Sequence, residues 1–430
     1  MIMMKRNCEI RMAWRRLTLM NDELRPTRIL IGGIGALVIA MGVGRFAYTP
    51  ILPYLQQEAG VTGELAGYLA SSNYLGYLLG ALLAGALGWR SGKSTSLKAF
   101  LGINILTTLA MGMTEQYALW LLLRFVSGVT SGLVFVLASS VALDAFVTAK
   151  RPGWSGLLYS GVGIGIAVSG IAVPILAERY GWQGAWIGLG IFTLGIGCFS
   201  WLWLQDKASS RSNSTEAKVQ ANASARTLDE TTAREPEGAK GRRLLPWLLA
   251  SYGCEGLGYI ISGTFLVAIV QEIPSFGALG ALSWVLVGTA AIPSSVMWAK
   301  IAGKTGNVTA LYLAFLTQII GVVLPVFMFN AAGALLGAVL FGATFMGITT
   351  LSVSEARNLL PSHSSQAIGY MTFVYGIGQM LGPAIAGRLI THFGGYNASL
   401  LFAALALVCG MLCLAVGRAM ASNHSKTSKG

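Results

Sequence analysis

Twelve apolar segments, each about as long as a membrane-spanning helix, dominate this sequence. They cover residues 29–53, 64–88, 97–114, 117–142, 154–177, 184–204, 244–270, 278–301, 308–329, 331–354, 366–390 and 396–417. The hydrocarbon core of a bilayer is roughly 30 Å thick and needs about 20 apolar residues in a helix to cross it. Because 54% of the residues are hydrophobic and only 11% are charged, the chain lacks a water-soluble surface. The sequence therefore predicts an all-α membrane protein with twelve transmembrane helices.

One long hydrophilic stretch, residues 205–243, divides these segments into two groups of six. It is rich in charged residues, Ser and Thr, and it contains no aromatic residue. Such a composition cannot bury enough apolar surface to offset the entropy lost on ordering, so we expect a disordered cytoplasmic linker. The predicted organisation is a basic tail (1–28), an N-terminal six-helix bundle (29–204), the linker (205–243), a C-terminal six-helix bundle (244–417) and a second tail (418–430).

The basic residues predict how the chain is oriented in the membrane. Of the 30 Lys and Arg residues, 26 fall in the tails, the linker or the loops on one side of the predicted membrane. Only Arg179 and Arg388 fall in loops on the other side. The positive-inside rule then places both termini in the cytoplasm, and we expect a bacterial inner membrane. The net charge of +13 reflects this topology, and without basic patches interleaved with aromatic residues we expect no nucleic-acid partner.

The two groups of segments also repeat each other. A shift of 213 residues superposes glycines 156, 163, 165 and 181 on glycines 369, 376, 378 and 394. A shift of 214 residues superposes Gly92 and Leu97 on Gly306 and Leu311. Parallel halves related by an axis along the membrane normal are one architecture of secondary transporters. We therefore expect two pseudo-symmetric bundles with a binding site between them.

The loop after the second segment carries a family signature. It reads Gly85-Ala-Leu-Gly88-Trp89-Arg90-Ser-Gly92-Lys93-Ser94, which resembles the major facilitator signature G-x-x-x-D-R-x-G-R/K-R. The resemblance implies the major facilitator fold and a gating loop that includes Gly85, Arg90, Gly92 and Lys93. Trp89 stands where the signature has Asp, so the latch that this Asp usually forms is not expected here.

Four further stretches resemble the YbfB/YjiJ branch of that superfamily. They are Gly44-Arg45-Phe46-Ala47-Tyr48-Thr49-Pro50, Leu69-Ala70-Ser71-Ser72-Asn73-Tyr74-Leu75-Gly76-Tyr77, Tyr252-Gly-Cys-Glu255-Gly-Leu-Gly-Tyr259 and Leu340-Phe341-Gly342-Ala343-Thr344-Phe345. The resemblance covers nearly the whole membrane region. It implies a transporter that works by alternating access, and it does not identify the solute.

Glu255 is the strongest candidate for a residue that carries chemistry. It lies 11 residues after Leu244, which at 1.5 Å per residue is about 17 Å into the seventh segment. Tyr252 and Tyr259 share its helix face at spacings of three and four residues. A carboxyl group removed from water can alternate between its neutral and charged forms near neutral pH, as proton coupling requires. A structural carboxylate paired with an arginine is the alternative.

Two arginines also lie within predicted spans, where an ionisable residue costs about 2.5–3.5 kcal/mol at mid-helix. Arg45 and Arg124 both fall in the outer half of the membrane, and each needs a partner such as Glu255, backbone carbonyls or an anionic substrate. For Arg45 the alternative is snorkelling toward the headgroups. Of the two, the sequence favours Arg124 as the residue that sets the charge state of Glu255.

Other polar residues could line a cavity, although each could instead make an interhelical hydrogen bond. They are Tyr48, Asn73, Gln318, Thr344, Tyr375 and Gln379. Together with Arg45, Arg124, Tyr252 and Tyr259 they are the predicted substrate-binding residues. In the eleventh segment, Gly378-Gln379-Met-Leu-Gly382-Pro383 resembles the G-x-x-x-G-P motif that antiporters of the superfamily carry in the fifth, and it predicts close helix approach with a local bend.

These features predict a proton-coupled secondary transporter, acting as a monomer, for a small organic solute that is anionic or zwitterionic. A drug or metabolite efflux antiporter is the first alternative, and a non-transporting membrane sensor is the second. No nucleophile, paired-carboxylate or phosphate-binding motif supports an enzyme or an ATP-driven pump. Cys409 and Cys413 are spaced C-x-x-x-C without a second ligand pair, so we expect no metal and no cofactor.

Overall fold

The structure, a computed structural model, describes residues 26–87, 92–151, 154–204, 237–273, 280–328, 330–360 and 364–427. All regular secondary structure in these ranges is helical, which confirms the predicted all-α class. Arg90 and Trp89 of the signature loop, the N-terminal residues 1–25 and linker residues 205–236 lie outside the described ranges.

The helices follow the chain in twelve numbered elements. They are α1 (26–37), α2 (Tyr48–Glu58), α3 (Gly63–Ala86), α4 (Lys93–Met111), α5 (Tyr117–Thr148), α6 (Trp154–Trp203), α7 (Glu237–Gln271), α8 (Gly280–Thr305), α9 (Asn307–Phe327), α10 (Ala331–Leu359), α11 (Ser364–Phe393) and α12 (Asn397–Thr427). A π-helix, Val38–Val43, follows α1 and leads into a turn before α2.

Two predicted spans share helix α6. The chain folds back at Gly181, whose φ of 66° and ψ of −175° are not helical. Leu176 before this point packs on Gly188 after it, because a Cβ on Gly188 would lie 2.7 Å from Leu176 Cδ1. The two arms of α6 therefore correspond to the predicted segments 154–177 and 184–204.

Eight stretches of described helix are long and apolar enough to cross a membrane on their own, including Pro26–Glu58 and Gly156–Trp203. Helices α3, α4 and α11 do not meet that criterion, because buried polar residues such as Asn73 and Asn104 lower their hydropathy. The count of twelve spans stays a prediction, although each predicted segment overlaps a helix.

Two helices extend beyond their predicted limits. Helix α7 begins at Glu237, inside the predicted linker 205–243, and α12 continues to Thr427, past the predicted end of its bundle at residue 417. Hydropathy marks only where a helix leaves the membrane, whereas backbone hydrogen bonding can continue into water.

The sequence repeat has a counterpart in the backbone. Gly92 (φ 73°) and Gly306 (φ 85°) both have a positive φ and both precede a helix, α4 or α9. Gly181 (φ 66°) and Gly394 (φ 69°), which the shift of 213 residues also pairs, have a positive φ too. Glycine adopts a positive φ at little steric cost, so the matched glycines mark turns at corresponding positions in the two halves.

The molecule has two faces along the helix axes. We call the face where α1 begins and α12 ends the terminal face, and the opposite face the distal face.

Hydrogen bonds between the halves cluster toward the distal face. They join Thr49 to Gly263 (2.5 Å), Tyr74 to Thr264 (3.4 Å), Glu64 to Thr391 (3.1 Å), Tyr68 to Arg388 (2.9 Å) and Gln56 to Tyr396 (3.3 Å).

Close backbone contacts complete the seam between the halves. Gly67 of α3 packs against the backbone of Pro383 in α11, and a Cβ on Gly163 of α6 would lie 2.7 Å from the carbonyl oxygen of Gly288 in α8. Small residues at these points let the helix backbones touch. The distal side is therefore tightly closed, and the buried polar residues lie beneath it.

Candidate functional site

The site is built around an interruption in the first span. Gly42 and Gly44 lie at the end of the π-helix and in the turn that follows it. A Cβ on Gly165 of α6 would lie 2.6 Å from Gly42 Cα, and a Cβ on Gly44 would lie 2.5 Å from Asn104 Oδ1, so the surroundings leave no room for larger residues. Short π-helical turns are frequent at functional sites. Here the turn presents Arg45.

Helix α5 satisfies the carbonyl groups that the interruption leaves without helical partners. Ser131 Oγ donates to Ala40 O (2.6 Å), and Ser127 Oγ donates to Gly44 O (3.1 Å). Arg124 Nη1 donates to the same Gly44 oxygen (3.0 Å). Residues 124, 127 and 131 are spaced by three and four, so one face of α5 supplies all three donors. The carbonyl groups of the interruption are thus satisfied within the N-terminal half.

Arg124 is a part of that support. Its Nη2 also donates to Arg45 O (3.4 Å), and its guanidinium lies 4.7 Å from the centre of the Tyr48 ring. The side chain is 1% exposed, and its neighbours are backbone carbonyls and an aromatic ring. Within the described ranges the ion pairs are Lys93–Asp144 and Arg388–Glu64, so Arg124 does not pair with Glu255.

Arg45 has a different environment. It is 2% exposed, and its guanidinium carbon lies 4.2 Å from the centre of the Tyr77 ring, 4.7 Å from Tyr74 and 5.1 Å from Phe46. The Tyr77 hydroxyl lies near the guanidinium, yet Nε and Nη2 have no hydrogen-bond acceptor among the described residues. Three aromatic faces stabilise the cation without neutralising it. Arg45 therefore retains donors for an anion.

Glu255 lies in the other half, on α7, and is fully buried. Gln318 of α9 and Tyr375 of α11 are beside its carboxyl group. Neither Glu255 oxygen makes a hydrogen bond of ordinary geometry with any described residue, and the same is true of both Gln318 amide atoms. A buried polar group without a partner costs roughly 1–3 kcal/mol. Such groups are candidates for binding a solute or a proton.

Tyrosines connect the environments of Glu255 and Arg45. Tyr259 interacts electrostatically with both Arg45 and Glu255. Tyr375 likewise lies within reach of both groups. The cation of one half and the carboxyl group of the other therefore face a shared pair of tyrosines and do not contact each other directly.

These tyrosines belong to a layer of nearly parallel rings on the C-terminal half. We call it the ring wall and define it as Tyr252, Tyr259, Phe341, Phe345 and Tyr375. Neighbouring centroids are 4.3 Å apart for Tyr252–Tyr375, 5.6 Å for Tyr259–Tyr375, 5.9 Å for Tyr259–Phe345 and 5.6 Å for Phe341–Phe345. The interplanar angles of these four pairs lie between 6° and 17°. Helices α7, α10 and α11 thus contribute to an offset stack of aromatic rings whose planes share one orientation.

Phe46 brings the two halves together at this surface. Its ring lies 6.4 Å from Phe345, edge to face at 68°, and 6.4 Å from Trp284 of α8. Because Phe46 follows Arg45 in the turn, the arginine is held next to the ring wall. The arrangement can hold an anion at Arg45 and a flat apolar body against the rings.

The other predicted residues divide into two groups. Gln379 donates to the Tyr259 hydroxyl and keeps Oε1 without a partner, so it belongs to the site. Tyr48 donates to Ala66 O (3.0 Å) and Asn73 donates to Arg124 O (2.9 Å), both inside the N-terminal half. Thr344 donates to Leu340 O of its own helix (2.8 Å). The geometry therefore gives Tyr48 and Thr344 packing partners and no free group, whereas Asn73 keeps its Oδ1 without a partner among the described residues.

In the predicted gating loop, Lys93 donates to Ser140 Oγ (2.9 Å) and pairs with Asp144 (3.2 Å), which links the start of α4 to the end of α5. Gly92 makes the left-handed turn. A Cβ on Gly85 would meet open space. Arg90 lies outside the described ranges.

Sequence reasoning missed five aromatic members of the site, Phe46, Tyr74, Tyr77, Phe341 and Phe345. The available signal was their spacing, since Tyr74 and Tyr77 are three residues apart and Phe341 and Phe345 four apart, so that each pair shares a helix face. Among the described residues no group of three His, Cys, Asp or Glu side chains could hold a metal ion.

Comparison with known proteins gives a family and a fold. Residues 37–415 match the family described as "Uncharacterised MFS-type transporter YbfB". The chain is 21% identical to the probable sulfoacetate transporter SauU of Cupriavidus necator, over 91% of this chain and 94% of that protein. It is 22% identical to the gentisate transporter of Corynebacterium glutamicum, over 94% and 90%. The crystal structure of the D-xylose-proton symporter matches with a TM-score of 0.69 at 15% identity, over 90% of this chain and 96% of that one.

Proposed function

Because this chain belongs to the family described as uncharacterised MFS-type transporter YbfB, we propose that it is a proton-coupled carrier of small organic anions. It is a multi-pass membrane transporter with the major facilitator fold, and its relatives transport small organic solutes. We infer its preference for anions, its coupling to protons and the roles of individual residues from the geometry of the site.

The observation that carries the proposal is the unpaired guanidinium of Arg45. A charge removed from water is strongly unfavourable unless it is paired. Arg45 faces the other half with two nitrogens free and no carboxylate beside it. A carboxylate or sulfonate bound at these nitrogens would complete the pair, and the fork of the guanidinium suits such groups. The names of two relatives, transporters of sulfoacetate and of gentisate, agree with an anionic substrate.

Glu255 provides a means of proton coupling. Glu255 and Arg45 both lie near Tyr259 and Tyr375. If an anion bound Arg45 while Glu255 was ionised, the site would contain two negative charges and one positive charge. A second like charge favours the neutral form of a carboxyl group, so anion binding would favour proton uptake by Glu255. Anion and proton would then cross together.

Alternating access follows from the contacts between the halves. The distal hydrogen bonds and the Glu64–Arg388 pair (3.4 Å) would close one entrance, and their separation would open it. The positive-inside distribution of Lys and Arg supports a cytoplasmic terminal face in a bacterial inner membrane. Separation of the halves on the terminal side would then open the site to the cytoplasm while the distal side stays closed.

Binding measurements on purified protein test the anion preference. Thermal shift and competition assays should compare small carboxylates and sulfonates with their neutral amides and with lipophilic cations. We expect binding of anions only, weakened at least about tenfold by Arg45→Gln because charged hydrogen bonds are lost. Arg179→Gln, at an exposed arginine, is the matched control and should change nothing. Binding of lipophilic cations without any binding of anions would favour the efflux alternative and refute the proposal.

A further inference from the structure

Aromatic surfaces face Arg45 from both halves of the molecule. On its own side the guanidinium lies 4.2–5.1 Å from the centres of the Tyr77, Tyr74 and Phe46 rings. From the other side, Tyr259 and Tyr375 of the ring wall lie within electrostatic reach. An anion bound to Arg45 therefore has its remaining atoms among ring faces. A short aliphatic acid would leave most of this surface without contact.

The ring wall selects for shape as well as for polarity. Its rings form an offset stack in which neighbouring planes differ by only 6° to 17°, so a flat molecule in the same orientation could continue the stack on the part of a ring face that the offset leaves uncovered. Offset and edge-to-face ring pairs contribute about 0.5–1.5 kcal/mol beyond the burial of their area. A saturated ring of the same size has no planar face, so it gains only the free energy of burying its apolar area.

A second polar anchor lies beyond the rings. Tyr375 is close to Glu255 as well as to Arg45, and Gln318 is beside Glu255. Both amide atoms of Gln318 are buried without a hydrogen-bond partner. A primary amide offers two donor hydrogens and an acceptor oxygen, so it can bind a hydroxyl group or a ring nitrogen. The site thus has a cationic end and a neutral hydrogen-bonding end with aromatic rings between them.

We propose that the substrate is a planar aromatic monocarboxylate that carries a second hydrogen-bonding group, either a ring hydroxyl or a ring nitrogen. Its carboxylate binds Arg45, its ring lies against the ring wall, and its second group binds Gln318 beside Glu255. This inference rests on the proposed function, since it names the class of anion that the same site accepts.

Four acids of matched charge separate the contributions of ring, second group and charge. They are benzoate, cyclohexanecarboxylate, 3-hydroxybenzoate and propionate, each tested against the purified full-length protein in detergent. We expect benzoate to bind about tenfold more tightly than cyclohexanecarboxylate, which corresponds to stacking on two ring contacts. We expect 3-hydroxybenzoate to bind more tightly than benzoate, and propionate to bind most weakly.

Two variants test which side chains bind the second polar group and the ring of the substrate. Gln318→Met conserves the length of the side chain but removes both polar atoms, so it should abolish the advantage of 3-hydroxybenzoate over benzoate, measured as the ratio of the two affinities in the same variant. Tyr259→Leu should reduce the advantage of benzoate over cyclohexanecarboxylate. Because the ligand series is measured first on the unaltered protein, a variant that fails to fold does not remove the test.

The outcomes distinguish this inference from the proposed function. Equal affinities for benzoate and cyclohexanecarboxylate would overturn the aromatic preference while anion binding stands. An advantage of 3-hydroxybenzoate that persists in Gln318→Met would overturn the second anchor. If none of the four acids or the sulfonates of the previous panel binds, the proposed function itself fails.

Discussion

The guanidinium of Arg124 holds the backbone of Arg45, with Nη2 of the first residue 3.4 Å from the carbonyl oxygen of the second. One buried arginine is thus a structural support for the turn that presents another. Arg124 donates to the backbone oxygens of Gly44 and Arg45 and leaves Nε without an acceptor, whereas Arg45 leaves both Nε and Nη2 without one among the described residues. The two residues should respond in opposite ways when their charge is removed.

Replacing each arginine by glutamine tests this difference. Arg124→Gln loses charged hydrogen bonds worth about 1.5–3 kcal/mol each and should lower the thermal stability of the protein. Arg45→Gln removes a buried cation without a counter-ion and should keep or raise the stability while abolishing anion binding. Melting temperature and ligand affinity, measured on both variants in the same detergent, separate the two roles.

Arg124 should also affect affinity, because a displaced turn misplaces Arg45. Arg124→Lys, which keeps the charge and one donor, should restore part of both the stability and the affinity. A stable Arg124→Gln protein with normal anion affinity would contradict the positioning role. Ser127→Ala, which removes a single neutral donor to the same Gly44 oxygen, should have a smaller effect of the same kind.

Glu255 should determine whether transport depends on a proton gradient. Glu255→Gln conserves the shape and hydrogen-bonding capacity of the side chain but cannot ionise. In proteoliposomes it should abolish accumulation driven by a pH gradient and leave counterflow exchange of substrate intact. Glu272→Gln, at an exposed carboxylate that follows the same helix, is the control and should accumulate substrate normally.

The pH dependence of binding follows from the same coupling. If anion binding favours proton uptake by Glu255, lowering the pH supplies that proton, and the dissociation constant should fall as the pH falls. This dependence should be lost in Glu255→Gln and retained in Glu272→Gln. Concentrative uptake by Glu255→Gln against a gradient would mean that the carboxyl group is structural or that the carrier is a uniporter.

The orientation of the chain is open to a direct test. Reporter fusions in the linker, between residues 205 and 243, and after the C-terminus should both report the cytoplasm, as the positive-inside rule predicts. A fusion in the 394–396 turn on the distal face should report the opposite compartment. A linker located outside the cell would refute the predicted topology and with it the assignment of the terminal face.

The sequence was sufficient to predict the helices and the buried carboxyl group because both depend on composition. Apolar segments of fixed length leave few alternatives to helices in a bilayer, and Glu255 is conspicuous as an acid in an apolar segment. The family resemblance was confirmed by the match over residues 37–415. Helix α7 begins at Glu237, before the predicted apolar segment 244–270, because hydropathy does not register a helix that continues into water.

The roles of the two arginines could not be predicted in the same way. Arg45 and Arg124 both lie in apolar segments, and nothing in the local sequence reports that the π-helix Val38–Val43 directs one side chain toward the other half. The ring wall was missed for a related reason. Tyr and Phe are ordinary packing residues in apolar helices, so only the alignment of three helices makes Tyr259, Phe345 and Tyr375 a surface.

The ion pair between Glu64 and Arg388 should stabilise the state that is closed on the distal side. Arg388 Nε lies 3.4 Å from Glu64 Oε1, and Arg388 also donates to Tyr68. The side chain of Arg388 is 69% exposed and that of Glu64 is 38% exposed, and exposed ion pairs contribute little to stability. Glu64→Gln should therefore shift the population toward the distal-open state only by a small factor.

The readout is the rate at which a membrane-impermeant thiol reagent, added from outside, labels Thr49→Cys in a protein whose native cysteines have been replaced. Labelling should be faster in Glu64→Gln and in Arg388→Gln, and exchange of the charges, Glu64→Arg with Arg388→Glu, should return it toward the original rate. Unchanged labelling in both single variants would show that backbone packing at Gly67 and Pro383, and not this pair, keeps the distal side closed.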